Sequence, residues 1–156
     1  MNDYNLKKSL GFKLDRAARL TTLNFNKNLK ENSIILTAEQ WGIINFLLEE
    51  DGINQNQIGK LINKDHTCVS RLIDNLIKKG IISKKNSVED KRVNLIYLTK
   101  EGKELQNSVV DTVEHSLDKV FQNVSEKEKE IFSIVLDKII KNLEWSYSIF
   151  LTKICV

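Results

Sequence analysis

Proline is absent from the 156-residue chain and glycine occurs only 6 times. Sandwiches and barrels of short strands need many Gly- and Pro-rich turns, so this scarcity points to long helices. Cysteine appears only as Cys68 and Cys155, too few for a disulfide scaffold and in keeping with a reducing, cytoplasmic location. No run approaches the roughly 18 apolar residues needed to span a bilayer, so no membrane association is expected. Residues 1–12 carry Lys7 and Lys8 but no continuous apolar stretch, so no secretory signal is read there. A Walker loop, an H-E-x-x-H pair, a G-x-G-x-x-G turn and a nucleophile elbow are all missing, which argues against an enzyme with catalytic residues. The two histidines, His66 and His115, fall in different elements without a Cys or His at ligand spacing, so neither a metal nor a cofactor is expected.

What is present is a chain of single-domain size, 41% hydrophobic and 29% charged. Its net charge of +3 hides an asymmetry. From Lys60 to Lys103 there are 11 Lys and Arg against 5 Asp and Glu, a net of +6, and the rest of the chain nets −3. A basic middle between acidic flanks fits a local polyanion site, although a solvated lysine-rich face would carry the same charge. A more specific signal is needed.

Apolar residues recur at helical spacing over about residues 4–30, on Leu6, Leu10, Leu14, Ala17, Ala18, Leu20 and Leu29. Thr37 with Gln40 forms a capping box for a second helix, which Asp51-Gly52 ends. Asn54, again with a Gln three residues on, opens a short third helix bearing Ile58, Leu61 and Ile62. After the turn at Asn63-Lys64, Asp65 caps a fourth, with Val69, Leu72, Ile73, Leu76 and Ile77 as its buried stripe and Gly80 as its stop. Residues 81–84 and 93–98 then read as two short strands joined by the polar loop 85–92, a hairpin with a charged tip. Thr99 caps a further helix, and Ser125 with Glu128 caps the last one. That last helix carries Phe132, Leu136, Ile139, Leu143, Tyr147, Phe150 and Ile154, widened by Ile131, Val135, Ile140 and Ile149. So much apolar surface on terminal helices in so short a chain implies a partner helix.

Short helix, turn, helix and hairpin over residues 54–98 describe a winged helix-turn-helix. The fold class expected is therefore mainly α, with a small two-stranded β-wing and long terminal helices. Removing the apolar stripe from the fourth helix leaves His66, Thr67, Ser70, Arg71, Asp74, Asn75 and Lys78 outside, where such a helix faces the major groove. Arg71 can pair bidentately with guanine, while Thr67 and Ser70 suit phosphates or base edges. In the hairpin loop, Asp90 stands two residues before Arg92. It can accept from the guanidinium and aim it at a narrow minor groove, with Lys91 beside it.

Several stretches resemble one family in sequence and in order. Leu36-Thr37-Ala38-Glu39-Gln40-Trp41 is similar to the segment before that family's second helix. Residues 69–82, Val-Ser-Arg-Leu-Ile-Asp-Asn-Leu-Ile-Lys-Lys-Gly-Ile-Ile, resemble its recognition helix and the entry to its wing. Asp90-Lys91-Arg92 followed by Leu98-Thr99-Lys100-Glu101-Gly102 resembles its wing and the next helix. The family is MarR, of bacterial winged-helix regulators, and the likeness runs along nearly the whole chain. Two positions depart from it: Ala38 stands where Pro is frequent, and Lys84 and Lys85 stand where Arg is common at the wing base, keeping charge but losing the bidentate fork.

The resemblance implies one subunit over residues 1–156, with a winged lobe at 36–99 and a helical dimerisation region at 1–33 and 100–156. It implies a homodimer that binds a pseudo-palindromic double-stranded DNA operator and represses transcription. The expected DNA-binding set is His66, Thr67, Ser70, Arg71, Asn75, Lys78, Lys84, Lys85, Asp90, Lys91 and Arg92. A small lipophilic or phenolic effector, or thiol oxidation, would relieve repression. Phe12, Arg16, Phe25 and Trp41 are candidates to line an effector pocket, with the core as their preferred placing. Cys68, beside the apolar stripe, reads as a packing residue before a redox switch. The competing function is a winged helix used for protein–protein contact without DNA.

Overall fold

The computed structural model describes residues 5–154, with side-chain surroundings for residues 5–144. Helix α1 spans Leu10–Glu31. The apolar spacing predicts its start near residue 4, but Ser9 is extended and its hydroxyl oxygen accepts from Phe12 N–H at 3.2 Å. That cap separates α1 from a single 3-10 turn at Leu6–Lys8. Helix α2, Ala38–Glu49, has the expected capping box: Thr37 Oγ1 accepts from Gln40 N–H and Gln40 Oε1 from Thr37 N–H, both at 3.2 Å. A third start bond comes from α1, where Asn26 Oδ1 accepts from Ala38 N–H at 2.7 Å. Caps of this kind contribute about 1 kcal/mol each.

The chain then turns at Gly52, whose φ of 80° is open to glycine at little cost. Strand β1, Ile53–Asn54, leads directly into α3, Gln55–Leu61, and Asn63 in the left-handed region makes the turn into α4, His66–Lys78. Gly80, at φ 71°, ends α4. Strands β2, Ile82–Asn86, and β3, Asn94–Leu98, follow, then α5, Lys100–Val120, and α6, Glu126–Ile154.

The expected two-stranded wing is present as β2 and β3, and β1 adds a third strand to its sheet. The sheet has three antiparallel strands in the order β1-β3-β2, with Ile82 opposite Leu98, Asn86 opposite Asn94, and Ile53 opposite Ile96. Two residues are too few to show a period-2 pattern, and the helix-start signal at Asn54 masks them. Asp51 pins this corner, its Oδ1 accepting from Leu98 N–H at 2.9 Å. At the other end of β3, Thr99 Oγ1 accepts from Gly102 N–H at 3.0 Å and stands 2.7 Å from the Gly80 carbonyl, to which its hydroxyl donates. Gly102 is required there, because a Cβ would lie 2.2 Å from the Ile81 oxygen.

Two compact units divide the chain, residues 1–117 and 118–156. In the first, α2, α3, α4 and the sheet enclose Ile43, Ile44, Ile58, Val69, Ile73, Leu76 and Ile96, all fully buried. Helices α1 and α5 meet through polar groups as well: Asn28 Nδ2 donates to Ser116 Oγ at 2.7 Å and Asn24 Nδ2 to the Ser116 carbonyl at 3.3 Å. In the second unit, Ser125 N–H donates to Glu128 Oε2 at 2.9 Å, and Phe121 and Phe132 meet edge to face at 6.5 Å. That unit leaves Ile131, Ile134, Val135, Ile140 and Leu143 exposed on α6. The side chains of Tyr147, Ile149, Phe150 and Ile154, and all of Cys155, lie outside the described residues. Among the described residues no helix is long and apolar enough to cross a membrane.

Candidate nucleic-acid interface

Helix α4 is held from its inner face. Val69, Ile73 and Leu76 are buried, Leu72 and Ile77 partly so, and at the N-terminus Asp65 Oδ1 accepts from Cys68 N–H at 2.9 Å. That backbone bond holds the Asp65 carboxyl below its ordinary pKa. Burial of the stripe leaves His66, Thr67, Arg71, Asn75 and Lys78 exposed along the outer face. Ser70 is only half-buried, because Gln55 at the start of α3 reaches across and donates from Nε2 to its hydroxyl oxygen. The same Nε2 stands 3.3 Å from His66 Nε2. No sequence signal singles out Gln55, since its partners lie 11 and 15 residues away.

Two lysines flanking α4 tie it to α2 and to the segment that precedes α2. Lys64, in the turn, pairs with Glu39 at 2.8 Å, a hydrogen bond that raises its pKa. Lys79, closing α4, donates to the Ile35 carbonyl at 2.6 Å and to Gln40 Oε1 at 3.1 Å, and partial burial lowers its pKa. Neither was among the residues expected at the site.

The wing is built mostly of hydrogen bonds. Asn86 Nδ2 donates to the Lys91 carbonyl at 2.7 Å, and Ser87 Oγ accepts from the N–H groups of Glu89 and Asp90 at 3.2 and 3.4 Å. The contact expected between Asp90 and Arg92 is present. Asp90 Oδ1 accepts from Arg92 N–H at 2.9 Å and from Nε–H at 3.2 Å, and Oδ2 from an Nη at 3.4 Å. Those bonds, the backbone one foremost, hold Asp90 below its ordinary pKa. The Arg92 side chain is 91% exposed, so it is aimed without being covered. Lys84 and Lys91 are exposed, and Lys85 Nζ lies 5.3 Å from the Tyr97 ring centroid. The interface thus joins an exposed polar helix face to a hairpin tip carrying an oriented arginine.

The candidate effector residues are not gathered in one place. Phe25 lines a cleft of about 130 Å³ with Thr21, Thr22, Ala38, Val113, Ser116 and Leu117. Trp41 packs against the core, as Phe25 also does, while Phe12 is half-buried and Arg16 exposed on α1. Cys68 is half-buried, and His115 is exposed on α5. Among the described residues no group of three His, Cys, Asp or Glu could hold a metal ion.

A helix-turn-helix with a basic hairpin wing defines a winged-helix lobe of the DNA-binding type. Residues 36–93, which span that lobe, match the sequence model of the MarR family. The chain is 28% identical over 122 residues to the HTH-type transcriptional regulator YybA of Bacillus subtilis, covering 77% of this chain and 81% of that protein. Solved structures share the fold. BpsR of Bordetella bronchiseptica, whose DNA binding is regulated by 6-hydroxynicotinic acid, superposes with a TM-score of 0.80 at 21% identity, over 88% of this chain and 97% of that one. The transcriptional repressor CouR, solved bound to a 23-mer DNA duplex, also has a TM-score of 0.80, at 20% identity, over 90% of this chain and 98% of that one. Over its winged lobe the chain is thus similar to the MarR family of transcriptional regulators, and over most of its length to an HTH-type transcriptional regulator.

Proposed function

We propose that this regulator is a cytoplasmic, ligand-responsive repressor that binds a pseudo-palindromic operator as a homodimer. The observation that carries the reading is the pairing of α4's exposed face with Arg92 held by Asp90 on the adjoining wing. In this reading Arg71 pairs with a base edge, with Thr67, Ser70 and Asn75 beside it. Lys78, Lys84, Lys85 and Lys91 neutralise phosphates, His66 contacts a phosphate, and Arg92 enters the flanking minor groove. Dimerisation is supported by the exposed Leu10, Leu20 and Leu23 on α1 and, separately, by the exposed isoleucines of α6. An effector would lodge at the Phe25 cleft, with Phe12, Arg16 and Trp41 as candidate contacts to ligand or to a second copy. The regulated DNA binding of BpsR supports a small-molecule response. No enzymatic step and no cofactor enter this function.

A gel shift with duplexes from the DNA flanking the gene tests it. Specific retardation that weakens steeply with salt is expected, with two subunits per duplex. A protein that retards no duplex while capturing a protein partner would favour the contact-module reading. Light scattering tests the dimer independently: Ile131→Glu with Val135→Glu, one turn apart on α6, should yield monomer. An intact chain that is already a stable monomer overturns the dimer.

A further inference from the structure

Gln55 joins the two helices of the DNA-facing motif at their polar edge. Its backbone is fixed from both sides. Asn54 before it pairs with Leu95 of β3 and caps α3, accepting from Gln57 N–H at 2.9 Å. Gln55 is the first residue of α3, and His66, behind the Asp65 cap, is the first of α4. The side-chain amide spans the gap to Ser70 and His66. Sheet, α3 and α4 therefore root a single three-residue cluster.

The chemistry of the cluster sets what it can offer a base. An amide nitrogen carries two protons and accepts nothing. One proton goes to Ser70 Oγ. The other faces His66 Nε2, 3.3 Å away. Ser70 has accepted a hydrogen bond and keeps its own proton to donate. A freely turning serine reads donors and acceptors alike, and so discriminates little. A serine with one of its two acceptor lone pairs filled and its proton free is biased toward a base edge that accepts, such as guanine N7 and O6.

We propose that Gln55 is a specificity-positioning residue, which acts through Ser70 by making that hydroxyl a donor toward an acceptor-bearing base edge. The inference rests on the DNA-reading role given above to α4.

The test selects duplexes from one randomised library with the wild-type protein and its variants, and compares the enriched bases. The wild-type protein should prefer an acceptor-bearing edge at one position per half-site. Ser70→Ala and Gln55→Ala should each reduce that preference by about tenfold, and the double variant should reduce it no further. Gln55→Glu can only accept, so it draws the Ser70 proton inward and should abolish the preference while weakening binding to every duplex. Asn56→Asp, exposed on the same helix, brings the same charge change. It should weaken every duplex alike and leave the preference intact. A purely structural Gln55 would lower affinity or melting temperature without altering base preference, and that result overturns the proposal. So does a preference that survives Gln55→Ala while Ser70→Ala removes it. A wild-type protein with no sequence preference overturns the DNA-reading role itself, and this inference with it.

Discussion

The recognition helix and the wing each present an arginine to the same proposed partner, but they hold it by different means. Arg71 stands on a helix whose opposite face, Val69, Ile73 and Leu76, is no more than 1% exposed, so its place is set by packing. Arg92 stands on a loop between β2 and β3, and its direction is set by the Asp90 carboxylate and the turn bonds of Ser87 and Asn86. A surface anchored in a core survives the loss of any one polar group. A surface built from a few exposed hydrogen bonds depends on each of them.

The sharpest way to break that contrast is to loosen the core under α4. Ile73→Ala should destabilise the fold by about 2–5 kcal/mol, measured by urea denaturation. A cost below 1 kcal/mol would mean that packing does not hold the helix. Next in size is Arg92→Ala, which should weaken operator binding ten- to a hundredfold, about 1.4–2.8 kcal/mol, with the dimer intact. Asp90→Ala decides how the wing works. Loss of a negative charge alone tightens binding to DNA, whereas loss of the clamp weakens it, so weaker binding at near-physiological salt is expected. Tighter binding would sink the clamp.

Acid should reveal the same clamp. Asp90 titrates below its ordinary value in the folded protein, so the Arg92 bond is fully present above the unfolded carboxylate pKa. It is lost only as pH falls through the lowered folded value. NMR titration of the Arg92 Nε–H should therefore show no change down to the ordinary carboxylate range. Disruption well above that range would contradict the geometry. Arg71→Ala should cost about 1–3 kcal/mol on the operator and flatten discrimination at one base pair per half-site. An unchanged ranking of operator variants would remove base reading from that face. Smallest is Lys84→Ala, which should weaken all sequences alike and lower the salt slope by about one.

The parts legible in the sequence are those whose signals lie within a turn of chain. Thr37 with Gln40, Asn54 with Gln57, Asp65, Gly80, and Ser125 with Glu128 each bond or bend within three or four residues, so spacing alone reveals them. The α4 stripe follows from a period of 3.6 residues, and the Asp90 contact with Arg92 from a separation of two. The missed features are those for which the fold brings distant residues together. Strand β1 exists because Ile53 finds Ile96. Gln55 finds Ser70 across 15 residues, Lys79 finds the Ile35 carbonyl across 44, and Asn28 finds Ser116 across 88. Sequence by itself determined the order of the helices and of the two wing strands, the buried stripe of α4 and the charge of its outer face, since these rest on local periodicity and capping. Only the tertiary structure decided which polar groups meet between elements, because a side chain's hydrogen-bonding partner across a fold depends on how two packed surfaces come into register.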